Sequence, residues 1–451
     1  MSRMPLSVRL IQQMNVLRQR TIPAEIRRKT CAHIADAVGI ALAASAGGGL
    51  SNQLLDAISC GADGGRCRVL GSNAAHAPSL AAFANAALIH ILDFDDIHDA
   101  ARLHPTAVTL PAALAAAALV DVPASRVVDA VALGNELMCR LGVMCSPTGE
   151  GPGSDWFLTQ LFGYLGAALA MAIVLDLDEA QIVSSFGLAY MQAAGGKEAG
   201  FGVGATSRGI YPAFAAMGGT HASLLARAGI VGPATALDGA AGLFKLYLGG
   251  MPSAAQINTL LDGQHWRFAE TQTKPWPSCR LSHPYVAVAL ALREQLGDSA
   301  PAHVLVKVNG SAAKLCRPLA ERRRPQTLQD AKYSIPYMTA FTLAKGRVDL
   351  QTLHGGVLDD VAIQALAERV AIEESLADKP GHPPAEIIIR TGDGRTLHSD
   401  PMPDLDMDEA AMQSKFIDCL GYAGIGAAPA TTLWQRLIEL DDEPSIDFLF
   451  A

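Results

Sequence analysis

PSLAAFANAALIHIL, residues 78–92, is the stretch whose reading decides the fold. Its apolar side chains recur at helical intervals, and its alanines let a neighbouring helix approach closely. The same texture returns in CAHIADAVGIALAAS (31–45), AVTLPAALAAAALV (107–120) and GYLGAALAMAIVL (163–175). Together these stretches predict a packed helical domain from about Ile22 to about Leu261. Its helix starts are marked by Pro23 in TIPAEIRRK, a first-turn proline, and by Ser79 in APSLAAF, a capping hydroxyl. Ahead of it, MSRMPLSVRLIQQMNVLRQR reads as a first amphipathic helix and lacks the continuous apolar stretch of a signal peptide.

Beyond about Lys274 the texture changes. HVLVKV (303–308) and AEIIIRT (385–391) are β-type runs, the second followed by the turn signal Asp393-Gly394. They alternate with the helix-like stretches PYVAVALALREQL (284–296) and DVAIQALAERV (360–370). The tail, with DEAAMQSKFIDCLGYA (408–423) and TTLWQRLIEL (431–440), is helical again. The expected fold is therefore mostly α: a large all-helical domain (1–270), a smaller α+β domain (271–400) inserted before the C-terminal helices, and those helices (401–451) rejoining the first domain.

The 451 residues, 50% hydrophobic and 18% charged, suffice for two cores. A net charge of -9 offers no basic surface for nucleic acid or anionic lipid, so affinity for an anion must come from a local cluster. Apolar runs such as Ala112 to Val120 fall short of the ~20 residues that span a bilayer. Eight cysteines without a CxxC pair suit a reducing compartment and argue against a structural metal. A cytoplasmic protein with neither a nucleic-acid nor a membrane partner is expected.

The helical stretch 78–92 runs directly into the densest chemistry in the chain: His90, Asp93, Asp95, Asp96, His98 and Asp99, then His104-Pro105. Crowded carboxylates raise one another's pKa toward a useful value, which points to a functional site. A solvated acidic helix end is the alternative. So is a metal site, since Asp and His are also ligands. A second stretch, Lys274-Pro-Trp-Pro-Ser-Cys279-Arg280-Leu-Ser282-His283-Pro284, is a proline-stiffened loop of the kind that positions an acid/base and an anion clamp, with Cys279 either packed or reactive. A third, from Gly202 to Pro212, lacks the ending of a phosphate loop, but a glycine-rich turn opening a helix, with Arg208 beside it, suits a carboxylate. The fourth, Ala331 to Tyr337, offers two phenols, Tyr333 and Tyr337, either of which can be a core residue.

In this order and separation, His-x-Leu-Asp-Phe-Asp-Asp with the following His-Pro, Gly134-Asn-Glu136 with Arg140-Leu-Gly142, Lys274 to His283, and Ala331 to Tyr337 resemble the MmgE/PrpD family over nearly the whole chain. That family includes 2-methylcitrate dehydratase, cis-aconitate decarboxylase and iminodisuccinate epimerase. The resemblance implies a helical domain built from both chain ends, a smaller α+β domain, a cleft between them, a homodimer, and neither metal nor organic cofactor. It carries Asp93, His104, His283 and Tyr337 onto catalytic positions, with Lys274 and Ser282 flanking the same loop. The chain departs from the family pattern at two places. Where many members read Trp-His-Pro-Thr, this one has Trp156-Phe157-Leu158-Thr159; where many read Lys-x-x-His, it has Arg208-Gly-Ile-Tyr211.

The expected activity is dehydration, decarboxylation or epimerisation of a small carboxylate. Each of these passes through a carbanion- or enolate-like species that needs a cation at the developing charge and an acid/base at the moving proton. Arg208 with Lys274 or Arg280 suits the first task, and His104 with His283, Asp93 orienting an imidazole, the second. Phe157 and Tyr211 line the substrate and suggest one less charged than a tricarboxylate. Two rivals stand beside this reading: a catalytically silent relative that keeps the fold as a carboxylate-binding or structural dimer, and a metal-dependent hydrolase using Asp93, Asp95, Asp96 and His104.

Overall fold

The structure is a computed structural model that describes residues 4–59, 64–145, 153–201, 204–378, 384–399 and 405–450. Arg3, Cys60 and Gly202 of the sequence reading lie outside these residues. The chain divides into two compact units: Met1–Lys197 with Ile210–Thr273 and Met407–Ala451, and Glu198–Gly209 with Lys274–Asp406. The mostly helical fold with an inserted α+β part is as expected. The segment Glu198–Gly209, whose composition had placed it among the helices, clusters with the second unit.

The first unit is built around the helix Leu158–Val174, in which every residue is buried. A helix apolar on all sides has to be surrounded, and it packs against Thr106–Ala117, Ala124–Cys145, Glu179–Tyr190 and Tyr211–Arg227. Small residues make that crowding possible. A Cβ on Gly219 would lie 2.6 Å from the backbone oxygen of Tyr164, so only glycine fits where Tyr211–Arg227 crosses the central helix. The first helix, Leu6–Gln19, buries Leu6, Leu10, Ile11, Met14 and Leu17 on one face, the amphipathic pattern read from its sequence. The helix Pro78–His90 starts at its proline, and Ser79, read as a cap, sits inside it.

The helices Glu409–Tyr422 and Ala427–Ile438 complete this unit. Lys415 pairs with Asp36 at 2.7 Å, both side chains buried, and donates to the carbonyl of Phe94 at 2.8 Å with its ammonium 3.9 Å from the Phe94 ring centre. The far end of the chain thereby grips the loop that follows His90. Among the described residues no single helix is long and apolar enough to cross a membrane; Ala24–Ala46 and Leu50–Ser59 are so only as a pair, and they are bent by 87°.

The second unit holds a four-stranded sheet. We label its strands β1 (Pro301–Val308), β2 (Val370–Glu374), β3 (Glu386–Thr391) and β4 (Thr396–His398). Their order is β2-β1-β3-β4, with β2 parallel and β3 antiparallel to β1. Val304, Val306, Val308, Ile387 and Ile389 are fully buried on one face and share a core with residues of the helices His283–Leu296 and Ile335–Lys345. Strand β2 was read as the end of a helix. The helix stops at Ala367, and the short run Val370-Ala-Ile leaves it with no turn signal of its own.

Candidate active site

The helix Pro78–His90 ends at the first imidazole. Asp93 then takes a left-handed conformation, φ 55°, which non-glycine residues rarely adopt, and its N–H donates to the His90 carbonyl at 2.7 Å. This turn brings Asp95 back onto the helix end, where its carboxylate accepts from Nδ1 of His90 at 2.8 Å. Asp96 accepts from Nδ1 of the buried His33 at 2.9 Å and from the Thr106 hydroxyl at 2.5 Å. Asp95 and Asp96 thus orient imidazoles, the task that sequence reasoning gave to their neighbour Asp93. His98 is buried and structural: its Nε2 donates to the Arg267 carbonyl, its Nδ1 accepts the Ala101 N–H, and burial pulls its pKa down.

His104 keeps 12% of its side chain exposed. Its Nδ1 lies 2.6 Å from the carbonyl oxygen of Asp96. A carbonyl can only accept, so the proton of the neutral ring sits on Nδ1, and Nε2 carries the lone pair a general base needs. Thr159 receives the His104 backbone N–H at 3.0 Å and the Tyr211 hydroxyl at 3.3 Å. The rings of His90 and His104 meet edge to face at 4.9 Å, and Tyr211 meets His90 at 4.8 Å. Phe157 stacks on Tyr211, centroids 4.1 Å apart and planes 15° from parallel.

Nitrogen and oxygen atoms of His90, Asp95 and His104 lie within 4.8 Å of one another, a spacing that can hold a metal ion. In this arrangement the Nδ1 of each histidine is engaged as a hydrogen-bond donor, to Asp95 and to the Asp96 carbonyl, which leaves Nε2 as the lone-pair atom of each ring.

The second unit carries the other expected residues. In the loop opened by Lys274, the Ser282 hydroxyl donates to the Cys279 carbonyl at 2.7 Å, and the Ser278 hydroxyl therefore donates to Ser282 at 2.8 Å. His283, fully buried at the start of its helix, donates from Nε2 to the Ser278 carbonyl at 3.1 Å. As at His104, a carbonyl fixes the tautomer, here leaving the lone pair on Nδ1. Trp276 meets the ring edge to face at 5.4 Å.

Arg208 is buried in the 3₁₀ turn Thr206–Gly209, its guanidinium carbon 4.8 Å from the Tyr333 ring centre. Burial, with the nearby charge of Arg208, lowers the pKa of Arg322, while Asp330 opposes. Among the described residues of this unit the buried charged groups are Arg208, Lys274, Arg280, Arg322 and Lys332 against Asp330, an excess of positive charge that suits an anion.

Two residues read differently in place. Tyr337 is buried in the core and its hydroxyl donates to the Val357 carbonyl at 2.7 Å, which makes it a packing residue. Ser282 spends its proton inside its own loop, so it braces the loop instead of facing a ligand. Cys279, for which the sequence allowed either a packed or a reactive role, is partly buried and packs against the same core. Sequence reasoning missed the roles of His90, His33 and Thr159. His90 and Asp95 stood in the quoted stretch, but His33 and Thr159 come from elements 63 and 55 residues away from their partners and carry no local signal.

The first unit is helical and made from both chain ends, the second is an inserted α+β unit, and each holds a histidine whose tautomer is fixed by a backbone carbonyl. Residues 9–256 match the MmgE/PrpD N-terminal domain and residues 276–427 the MmgE/PrpD C-terminal domain. The chain belongs to the MmgE/PrpD family. It is 29% identical over 387 residues to the cis-aconitate decarboxylase-like protein oryM of Aspergillus oryzae, covering 76% of this chain and 79% of that one. To the cis-aconitate decarboxylase of Aspergillus terreus it is 27% identical over 311 residues, 64% of this chain and 61% of the relative. To that of Homo sapiens it is 26% identical over 334 residues, 71% and 67% of the two chains.

Proposed function

We propose that the protein is a metal-independent lyase or isomerase that moves a proton at a carbon next to a carboxylate or carbonyl of a small carboxylate substrate, in a dehydration, decarboxylation or epimerisation. Its family and its relatives, named as cis-aconitate decarboxylases, make it an enzyme of the lyase kind. The observation that carries the reading is shared by His104 and His283: each has one ring nitrogen committed to a backbone carbonyl, so the neutral ring holds its lone pair in a fixed place. A general base aligned in this way does not have to reorient before it takes the proton.

In this proposal His104 and His283 exchange protons with the substrate, and Arg208, Lys274 and Arg280 hold its carboxylates and the negative charge that develops on the enolate-like species. Asp93 shapes the turn that delivers Asp95 and Asp96 to their imidazoles. Phe157 and Tyr211 bound the substrate. Ser282 and Tyr337 contribute by holding the loop and the core beneath it. The protein acts as a cytoplasmic homodimer without an organic cofactor.

A second reading, a metal-dependent hydrolase, draws on the His90, Asp95 and His104 spacing. Elemental analysis of the purified protein separates the two. The proposal is tested by incubating it with a panel of di- and tricarboxylic acids in deuterated water and following deuterium uptake, water loss and carbon dioxide loss by NMR. Turnover of at least one acid is expected; no reaction with any of them overturns the proposal.

A further inference from the structure

In the first unit, the imidazole that reaches the surface stands beside an aromatic wall. The chain runs from His104 to His90 at 4.9 Å, to Tyr211 at 4.8 Å and to Phe157 at 4.1 Å, and Phe157 is the partly exposed end of it. Tyr211 is buried, with its hydroxyl directed to Thr159, so its ring backs Phe157. Phe157 itself is rigidly placed. It is the residue immediately before the fully buried helix Leu158–Val174; its N–H donates to Gly195, and its carbonyl takes the first-turn N–H groups of Gln160 and Leu161.

The charges of this unit say what the wall receives. Asp95 and Asp96 lie behind the histidines. Among the described residues of the unit the buried cations are Arg140 and Lys415, already engaged with Glu136 and Asp36. A substrate carboxylate laid against Phe157 would lose hydration and be repelled by the acidic pair, while the part-buried ammonium of Lys197 is turned to the Ser154 carbonyl. An uncharged carbon group would instead gain by leaving water.

We infer that Phe157 and Tyr211 form a single specificity subsite that takes an uncharged alkyl, alkenyl or aryl substituent beside the carbon served by His104, so that the substrate is a substituted di- or monocarboxylate and not a tricarboxylate. This rests on the proposed carboxylate lyase activity and names its substrate class. The two aromatic residues act together: a change at Phe157 removes the exposed face, and a change at Tyr211 removes the support that holds it.

The test measures affinity by calorimetry and turnover by NMR for cis-aconitate and for maleates carrying a methyl, butyl or benzyl group in place of its carboxymethyl arm. The substituted maleates are expected to bind at least ~10-fold more tightly than cis-aconitate, with affinity rising about fourfold per added methylene that the wall covers. Phe157→Leu keeps this order. Phe157→His, checked for an unchanged melting temperature, reduces the preference at least ~10-fold. Equal or tighter binding of cis-aconitate, or a preference unmoved by Phe157→His, overturns the subsite while leaving the carboxylate reading in place. A well-folded protein that binds none of these acids overturns both.

Discussion

Nδ1 of His104 lies 2.6 Å from the backbone oxygen of Asp96, while the Asp96 side chain accepts from His33 at 2.9 Å. One residue thus fixes the tautomer of the accessible imidazole through its backbone and is itself held by a second imidazole through its carboxylate. His104→Gln keeps a polar group of similar reach but cannot take up a proton at neutral pH. It is expected to lower kcat ~10²-fold or more on a verified substrate, with KM changed much less. A kcat near that of the parent enzyme would remove His104 from the chemistry.

His90 is oriented by Asp95 and packs on His104 without the same exposure. Asp95→Asn offers its Nδ1 a weaker partner and loosens the ring that backs His104. A loss of kcat of about 10- to 100-fold is expected, by analogy with the cost of removing the carboxylate behind a metal-ligating histidine. Steady-state kinetics checks it, and an unchanged kcat would make the pair purely structural.

In the second unit, imidazole and guanidinium should fail differently. His283→Asn is expected to cost kcat ~10²-fold or more, because a titrating group is lost. Arg208→Lys retains a positive charge but loses the planar fork, so it should chiefly raise KM. If His104→Asn and His283→Asn both leave kcat intact, the acid/base assignment is wrong.

Periodicity is a local signal, and what it governs locally was legible: the helices around Leu158–Val174, the strands at Val304 and Ile387, and the return of helix after about 405. Strand β2 was not, because Val370–Glu374 is short and leaves a helix three residues earlier. The site was legible where its residues share one turn, as from His90 to Asp96. It was not where partners are distant, as His33 is from Asp96, or where a hydroxyl that looked functional closes its own loop, as in Ser282. Tyr337 illustrates the same limit: a phenol on a helix reads alike whether it meets a ligand or, as here, a carbonyl in the core.

Activity is expected to survive prolonged treatment with chelators. The expectation follows from the scattered cysteines, which form no CxxC pair, and from Asp95 already being taken up as the acceptor of the His90 N–H. Elemental analysis showing a stoichiometric ion, lost together with activity on chelation and restored with it, would favour the hydrolase reading.

Light scattering at micromolar concentration is expected to show a homodimer. A stable monomer there would contradict the proposed assembly.

The last prediction concerns the grip of the C-terminal helix on the site loop. Lys415 and Asp36 are both buried, and the same ammonium holds the Phe94 carbonyl between Asp93 and Asp95. Removing one partner of such a pair leaves the other charge uncompensated, which costs about 3–5 kcal/mol. Lys415→Met should therefore lower the melting temperature markedly and reduce activity by loosening the loop. Burial already raises the Asp36 pKa above its ordinary 3.8, and Lys415 is the largest influence holding it down. Without the lysine the folded-state pKa rises further. Asp36 then penalises folding least below its unfolded pKa, where it is protonated in both states, and the penalty grows as pH rises through the interval up to the folded pKa. Adding Asp36→Asn removes the carboxylate. The double variant Asp36→Asn/Lys415→Met is expected to be more stable than Lys415→Met alone at neutral pH and to lose this part of the pH dependence. Thermal melts of the three proteins at several pH values check it, and a Lys415→Met variant as stable as the parent at neutral pH would show that the pair does not hold this part of the fold.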